Sequence, residues 1–215
     1  ITNWFVIIAS SYFLYFVFNQ LSFDTQFLLS IFIFCFCVIF VWIIYGTRQH
    51  SLATLGHDGG HGCVTQNTTL NDTLTNLFVF YPFGVSIERF RTFHFAHHDN
   101  LGTSKDTLLI LKNMASPKHD LRMIGKRSVG KLLLRDFLGL SYKEIFEFLF
   151  IFTTPRTFSQ AFGVVVWWSL FIGSIFYSKV YFIFYFVLLW FISLGTSFWG
   201  FFRMRTLTEH TGTAG

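Results

Sequence analysis

Ile31-Phe32-Ile33-Phe34-Cys35-Phe36-Cys37-Val38-Ile39-Phe40 lies inside a longer apolar run, Gln26 to Tyr45, that holds no Lys, Arg, Asp or Glu. A helix needs roughly 20 predominantly apolar residues to cross the hydrocarbon core of a bilayer. The run therefore predicts a membrane span over about 26–45. On its N-terminal side, Leu21 to Asp24 reads as a tight polar turn, and Ile1 to Phe18 as a second uncharged apolar segment. Together they predict a helical hairpin with its first span over about 3–18. On the C-terminal side, Gly46 to Ser51, with Arg48 and His50, is expected to bring the chain out at the opposite face.

Two more apolar runs occur late in the chain, Ala161 to Tyr177 and Val180 to Phe202, separated by Ser178-Lys179. The expected fold class is an all-α integral membrane protein. Its four transmembrane helices, about 3–18, 26–45, 161–177 and 180–202, form two hairpins in a single domain, 1–215. Composition agrees. The chain is 53% hydrophobic, only 13% charged, and contains 32 Phe among 215 residues, whereas soluble domains are about one-quarter charged. The net charge of +5 is not a nucleic-acid signal, because its distribution follows membrane topology. Of 16 Lys and Arg, 13 fall between Gly46 and Gln160, and Arg203 and Arg205 follow the fourth run. Only Lys179 falls on the other side, so the positive-inside rule makes the rich side cytoplasmic.

The stretches between the runs read as a cytoplasmic helical cap. Asn71 to Val85 is short and interrupted by Pro82 and Gly84, which suggests a partly buried or interfacial helix. Asn100 to Ser128 is the most soluble stretch. Gly130 to Phe152 has helical apolar periodicity and predicts one amphipathic helix in the interface, ended by Pro155. Cys35, Cys37 and Cys63 form no paired framework, which suits a reducing compartment.

Chemistry concentrates in two motifs on the cytoplasmic side: His57-Asp58-Gly59-Gly60-His61 and His94-Phe95-Ala96-His97-His98. On a helix, residues three or four apart share a face, so His57 and His61 can address one spot and His94, His97 and His98 a neighbouring one. Neutral imidazole is a good ligand for transition metals. His210, after the fourth run, could add a sixth ligand. Six imidazoles suit two ions with open positions better than one. A shell without thiolates argues against structural zinc and suits iron that reacts with dioxygen. Asp58, Asp106 and Glu209 are candidates to accept hydrogen bonds from ligand imidazoles. His50 and His119 stand alone and read as interfacial histidines, and Arg203 and Arg205 as topology anchors.

His57–His61, Phe93–His98 and Arg203–His210 resemble the membrane fatty acid desaturase and hydroxylase family over nearly the whole chain. The resemblance implies an oxidoreductase whose catalytic metal site is a di-iron centre on the cytoplasmic face. It would be held by His57, His61, His94, His97, His98 and His210, with O2 as co-substrate. It also implies a lipid or fatty acyl substrate and a separate electron donor of ferredoxin or cytochrome b5 type. The family's third histidine box has no counterpart before Gly215, and with no Met at residue 1 this suggests a chain truncated at both ends. A desaturase introducing a C=C bond is the leading expectation. A hydroxylase or ketolase of a lipid, carotenoid, sterol or alkane is the alternative on the same scaffold. A membrane metal-binding protein is the reading from another class, disfavoured by spans without ionisable residues.

Overall fold

The computed structural model describes residues 1–100, 103, 105–106, 126–155, 157–178 and 182–209. Most of the soluble stretch 100–128, the turn at Lys179 and His210 lie outside the described residues, as do the side chains of 206–209. The described residues are mostly helical, with no strand among them. The chain divides into two compact units: Ile1–Ser51 with Leu132–Leu140 and Ile175–Gly215, and Leu52–Lys131 with Ser141–Ser174.

In the first unit, helix α1 (Thr2–Gln20) packs along α8 (Phe182–Leu194). Trp4 stacks on Trp190 with centroids 5.4 Å apart, and Tyr12 meets Phe182 edge-on at 6.0 Å. The first part of α2 (Phe27–Gly60) joins them through polar groups. The Tyr45 and Ser11 hydroxyls are hydrogen-bonded, and the Gln49 amide donates to the Trp190 carbonyl at 2.9 Å. Phe32, Phe36 and Phe40 are exposed, as expected of side chains that meet lipid.

Helix α2 runs unbroken through Gly46–Ser51, the stretch expected to leave the membrane. It continues to Gly60. The polar residues Thr47 to His50 are all compatible with helix, and Gly46 supplies a close contact with Ser197 instead of a break. With 34 residues the helix is about 51 Å long at 1.5 Å per residue. A hydrocarbon core takes about 30 Å, so the surplus carries the first histidine motif. By length and composition α2 can cross a membrane, and only 11% of its most apolar window is buried within the protein.

The fourth apolar run is bent. It comprises α8 and α9 (Ser197–Glu209), which pass the same test together but meet at 40°. Thr196 and Ser197 explain the bend. Trp42 Nε1 donates to Thr196 Oγ1 at 2.7 Å, and Ser197 Oγ donates to the Trp42 carbonyl at 3.0 Å. The Thr196 amide has shifted to the Ser193 carbonyl, which tightens the turn.

Gly130 to Phe152 is two helices, not one: α5 (Lys126–Phe137) and α6 (Tyr142–Thr153). Gly139 adopts φ 69°. Its amide reaches the Asp136 carbonyl while the Leu140 amide reaches Arg135, a glycine-terminated helix end. Arg203, expected as a topology anchor, forms an ion pair with the fully buried Asp136 of α5, Nε to Oδ2 at 2.8 Å.

The second unit holds α3 (Thr68–Thr75), a π turn at Asn76–Phe80 and a 3-10 turn at Tyr81–Phe83. It also holds α4 (Ile87–Asp99), α6 and most of α7 (Phe158–Ser178). The expected single helix over Asn71–Val85 is thus split. Pro82 and Gly84, at φ 75°, end the helical run. The buried Phe80, Val85 and Ile87, with Phe90 and Phe152 against them, form a small core beneath the N-terminal half of α4.

Candidate metal centre

Helix α4 begins where Ser86 Oγ accepts the Arg89 amide and the buried Asn76 side chain accepts the Ile87 amide at 2.8 Å. Both are N-cap devices that satisfy orphan donors. They fix the register of the helix and so the direction of its histidines. One turn advances 3.6 residues, so His94 and His98 fall about 40° apart around the axis, whereas His97 and His98 diverge by about 100°. The second motif therefore spreads its three rings around the helix, with His97 and His98 farthest apart.

His57, His61, His94 and His98 converge instead, each offering a nitrogen within 4.8 Å of the others. His94 is the hub. Its Nε2 lies 2.9 Å from His61 Nε2 and 2.9 Å from His98 Nε2, and its ring centroid is 4.6 Å from that of His57. The expectation of one spot per motif is corrected: the rings interleave in a single group, because α2 and α4 bring their histidine faces together. His57 and His94 are half-buried, while His61 and His98 are exposed.

His97 is buried and turns to the buried Asp106, Nδ1 to Oδ1 at 2.5 Å. A carboxylate there fixes the Nδ1–H tautomer and leaves Nε2 as the lone-pair nitrogen. Asp58 approaches His57 Nδ1 only at 3.5 Å and is half-exposed. Of the acidic candidates, Asp106 makes the close contact. His210 and the side chain of Glu209 lie outside the described residues.

Two glycines make the approach of these elements possible. A Cβ on Gly60 would enter the ring of Phe90 and one on Gly59 the side chain of Thr75. Phe90 in turn stacks on His94, centroids 4.9 Å apart at 23°. Burial, and the positive charge that His57, His98, His61 and His97 would carry, push His94 down to about 3. His61 is lowered for the same reasons, burial first. Neutral imidazole is the ligating form. Two imidazoles at right angles on one ion, with bonds of about 2.1 Å, place their nitrogens about 3.0 Å apart, close to the spacing His94 has to each neighbour. Donor type and the spacing of His94 from His61 and His98 fit a transition metal.

Sequence reasoning missed the framework around this group. Asn71 is fully buried. It donates to the Gly59 carbonyl at 2.8 Å and accepts the Val64 amide. Arg91 donates from Nε to the Gly60 carbonyl at 2.8 Å and grips Asp72 with both terminal nitrogens at 2.7 Å. The pair holds the Asp72 carboxyl below its ordinary range. The one available signal is the position of Arg91 three residues before His94, on the same helical face.

Residues 33–215 match the family model described as "Fatty acid desaturase". Over 61 residues the chain is 39% identical to the sn-1 acyl-lipid omega-3 desaturase (ferredoxin) of Synechocystis sp. (strain ATCC 27184 / PCC 6803 / Kazusa). That stretch is 28% of this chain and 17% of the relative, so the match covers about one-sixth of the relative's length. No solved structure matches the chain.

Proposed function

This chain belongs to the fatty acid desaturase family, and on that premise we propose that it introduces a C=C bond into a fatty acyl chain within a membrane. The observation that carries the proposal is the convergence of four imidazoles at His57, His61, His94 and His98. Bound iron would supply the activation of dioxygen that an unactivated C–H bond demands. In balance, two adjacent methylenes lose two hydrogens, and O2 with two electrons and two protons becomes two waters.

The chain's own residues bind and orient. His57, His61, His94 and His98 hold metal as neutral ligands, and we extend the set to His97 and His210 for a pair of ions. Asp106 keeps His97 in one tautomer by accepting from Nδ1. Phe90 backs His94 and shields that side of the cluster from water. A separate donor supplies the electrons. The name of the Synechocystis relative favours a ferredoxin. We assign four spans in two hairpins within one functional domain, the histidines facing the cytoplasm. The support is the four apolar runs and the placement of 15 of 16 basic residues on one side.

The test is a lipid profile. The protein is expressed with a ferredoxin and its reductase, and fatty acids are compared by mass spectrometry with those from a His94→Ala variant. A product lighter by two hydrogens, absent from the variant, supports desaturation. A product heavier by one oxygen would replace that reading with hydroxylation, and unchanged lipids beside an iron-loaded protein would reject both.

A further inference from the structure

We propose that Arg91 is a positioning residue that sets the distance between the two histidine motifs, acting through the peptide that carries His61. The inference rests on the metal-centre reading above and deepens it. Helix α2 ends at Gly60, and the His57, Asp58 and Gly59 carbonyls accept the amides of His61, Cys63 and Gly62 just past it, which leaves the Gly60 carbonyl to a partner from another helix. The Gly60 carbonyl belongs to the Gly60–His61 peptide, and Arg91 Nε donates to it at 2.8 Å. Fixing that carbonyl fixes the peptide plane from which the His61 side chain departs. Arg91 sits three residues before His94 on α4, so the same contact ties the helix of one motif to the chain end of the other. It does so where His61 Nε2 and His94 Nε2 lie 2.9 Å apart.

The guanidinium would swing about this single contact if nothing held its other edge. Asp72 of α3 holds it, accepting from both terminal nitrogens at 2.7 Å. Asp72 is held in turn by the Asn71 amide at 2.9 Å, and the same amide group donates to the Gly59 carbonyl at 2.8 Å. The result is a closed circuit: the last two carbonyls of α2, the Asn71–Asp72 pair of α3, and Arg91 of α4. All three donors of the Arg91 fork that face this circuit are used, which only a planar guanidinium can do. A lysine would keep the charge but satisfy one acceptor at a time. The hydrogen bonds of Arg91 go to Gly60 and Asp72 and not to the four converging rings, so its effect on a bound metal is geometric.

The test is Co(II) binding to the metal-free full protein, followed by the visible d–d spectrum, with near-ultraviolet circular dichroism and melting temperature as measures of fold. Variants are Arg91→Lys and Asp72→Asn. The expected result is affinity weakened about 10–100-fold, the usual effect of losing a group that orients ligands, together with a shifted d–d band. The dichroism stays at its wild-type value in both variants. Asp72→Asn, which leaves the Gly60 contact in place, loses less affinity than Arg91→Lys. Wild-type affinity and spectrum in Arg91→Lys would overturn the assignment. So would losses in both variants that merely track a lost fold. A wild-type protein that takes up no Co(II) would instead bring down the metal-centre reading and, with it, any role for the circuit.

Discussion

Replacing Gly60 with alanine tests the close approach on which the histidine cluster depends. A Cβ at this position would stand 2.7 Å from Phe90 Cδ1, whereas carbons in contact settle at about 3.5–4.0 Å. Phe90 Cε1 would be closer still, so the ring must retreat by about 1–2 Å. It has little room, since Phe80 packs against it at 5.0 Å and Phe152 edge-on at 6.2 Å between centroids. Overpacking of this kind costs about 1–3 kcal/mol. The gain in helix propensity from Gly to Ala, up to about 1 kcal/mol in a helix interior, is largely absent because Gly60 is the last residue of α2. Phe90 moves with His94, on which it stacks, so the strain falls on the hub of the cluster. At 1.4 kcal/mol per factor of ten, metal affinity should fall about 5–150-fold, and the melting temperature by about 2–4 °C per kcal/mol. Gly130→Ala is the control, because a Cβ there meets nothing within 4 Å. It should bind metal as the wild type does and melt no lower. Co(II) titration and a thermal melt on both variants decide the matter. Wild-type affinity and stability in Gly60→Ala would refute the claim that this contact holds His94 in place.

Other perturbations have definite outcomes. Asp106→Asn removes the carboxylate from His97 Nδ1 and should reduce metal occupancy about 10–100-fold without loss of helix content, measured by metal analysis and circular dichroism. Asp136→Ala strips Arg203 of its buried carboxylate and should destabilise the fold by about 3–5 kcal/mol. Replacing both partners with apolar residues of similar volume should recover most of that loss in a thermal melt. The metal-free protein should lose stability as pH falls. His94 stays neutral in the fold down to about 3 but titrates near 6.5 when unfolded. The unfolded state then binds the extra proton, so stability is intact above about 6.5 and declines from there toward 3. A His94→Gln variant should show a shallower acid limb over that interval.

The two histidine motifs were legible because their helical spacing is local information, and so were the apolar runs, because hydropathy is local. What escaped the sequence is long-range. Thr47, Arg48, Gln49 and His50 are polar, but their sequence does not reveal that Gln49 is buried with its amide on Trp190, a partner 141 positions away. The bend after Leu194 depends on Trp42 reaching Thr196, and no window around Thr196 contains Trp42. Gly139 was visible as a residue but not as a helix stop, since its left-handed backbone is chosen by the bonds that Asp136 and Arg135 accept. In the site itself, spacing grouped His94, His97 and His98 as one set. In the structure His97 also meets Asp106, a partner nine positions away. Asp58 ranked above Asp106 by adjacency to a ligand, but adjacency along a helix directs side chains apart, and its contact with His57 is long. The circuit of Asn71, Asp72 and Arg91 was invisible for the same reason as the bend, with partners 12, 19 and 31 residues apart.

The central claim is that His57, His61, His94 and His98 form a metal centre, and metal analysis of the purified protein tests it most directly. Protein produced in iron-replete cells should carry iron, and His94→Ala, which removes the ring nearest all the others, should lose it while keeping its helix content. Wild-type protein free of transition metal after iron reconstitution, or a variant with undiminished iron, would contradict the account.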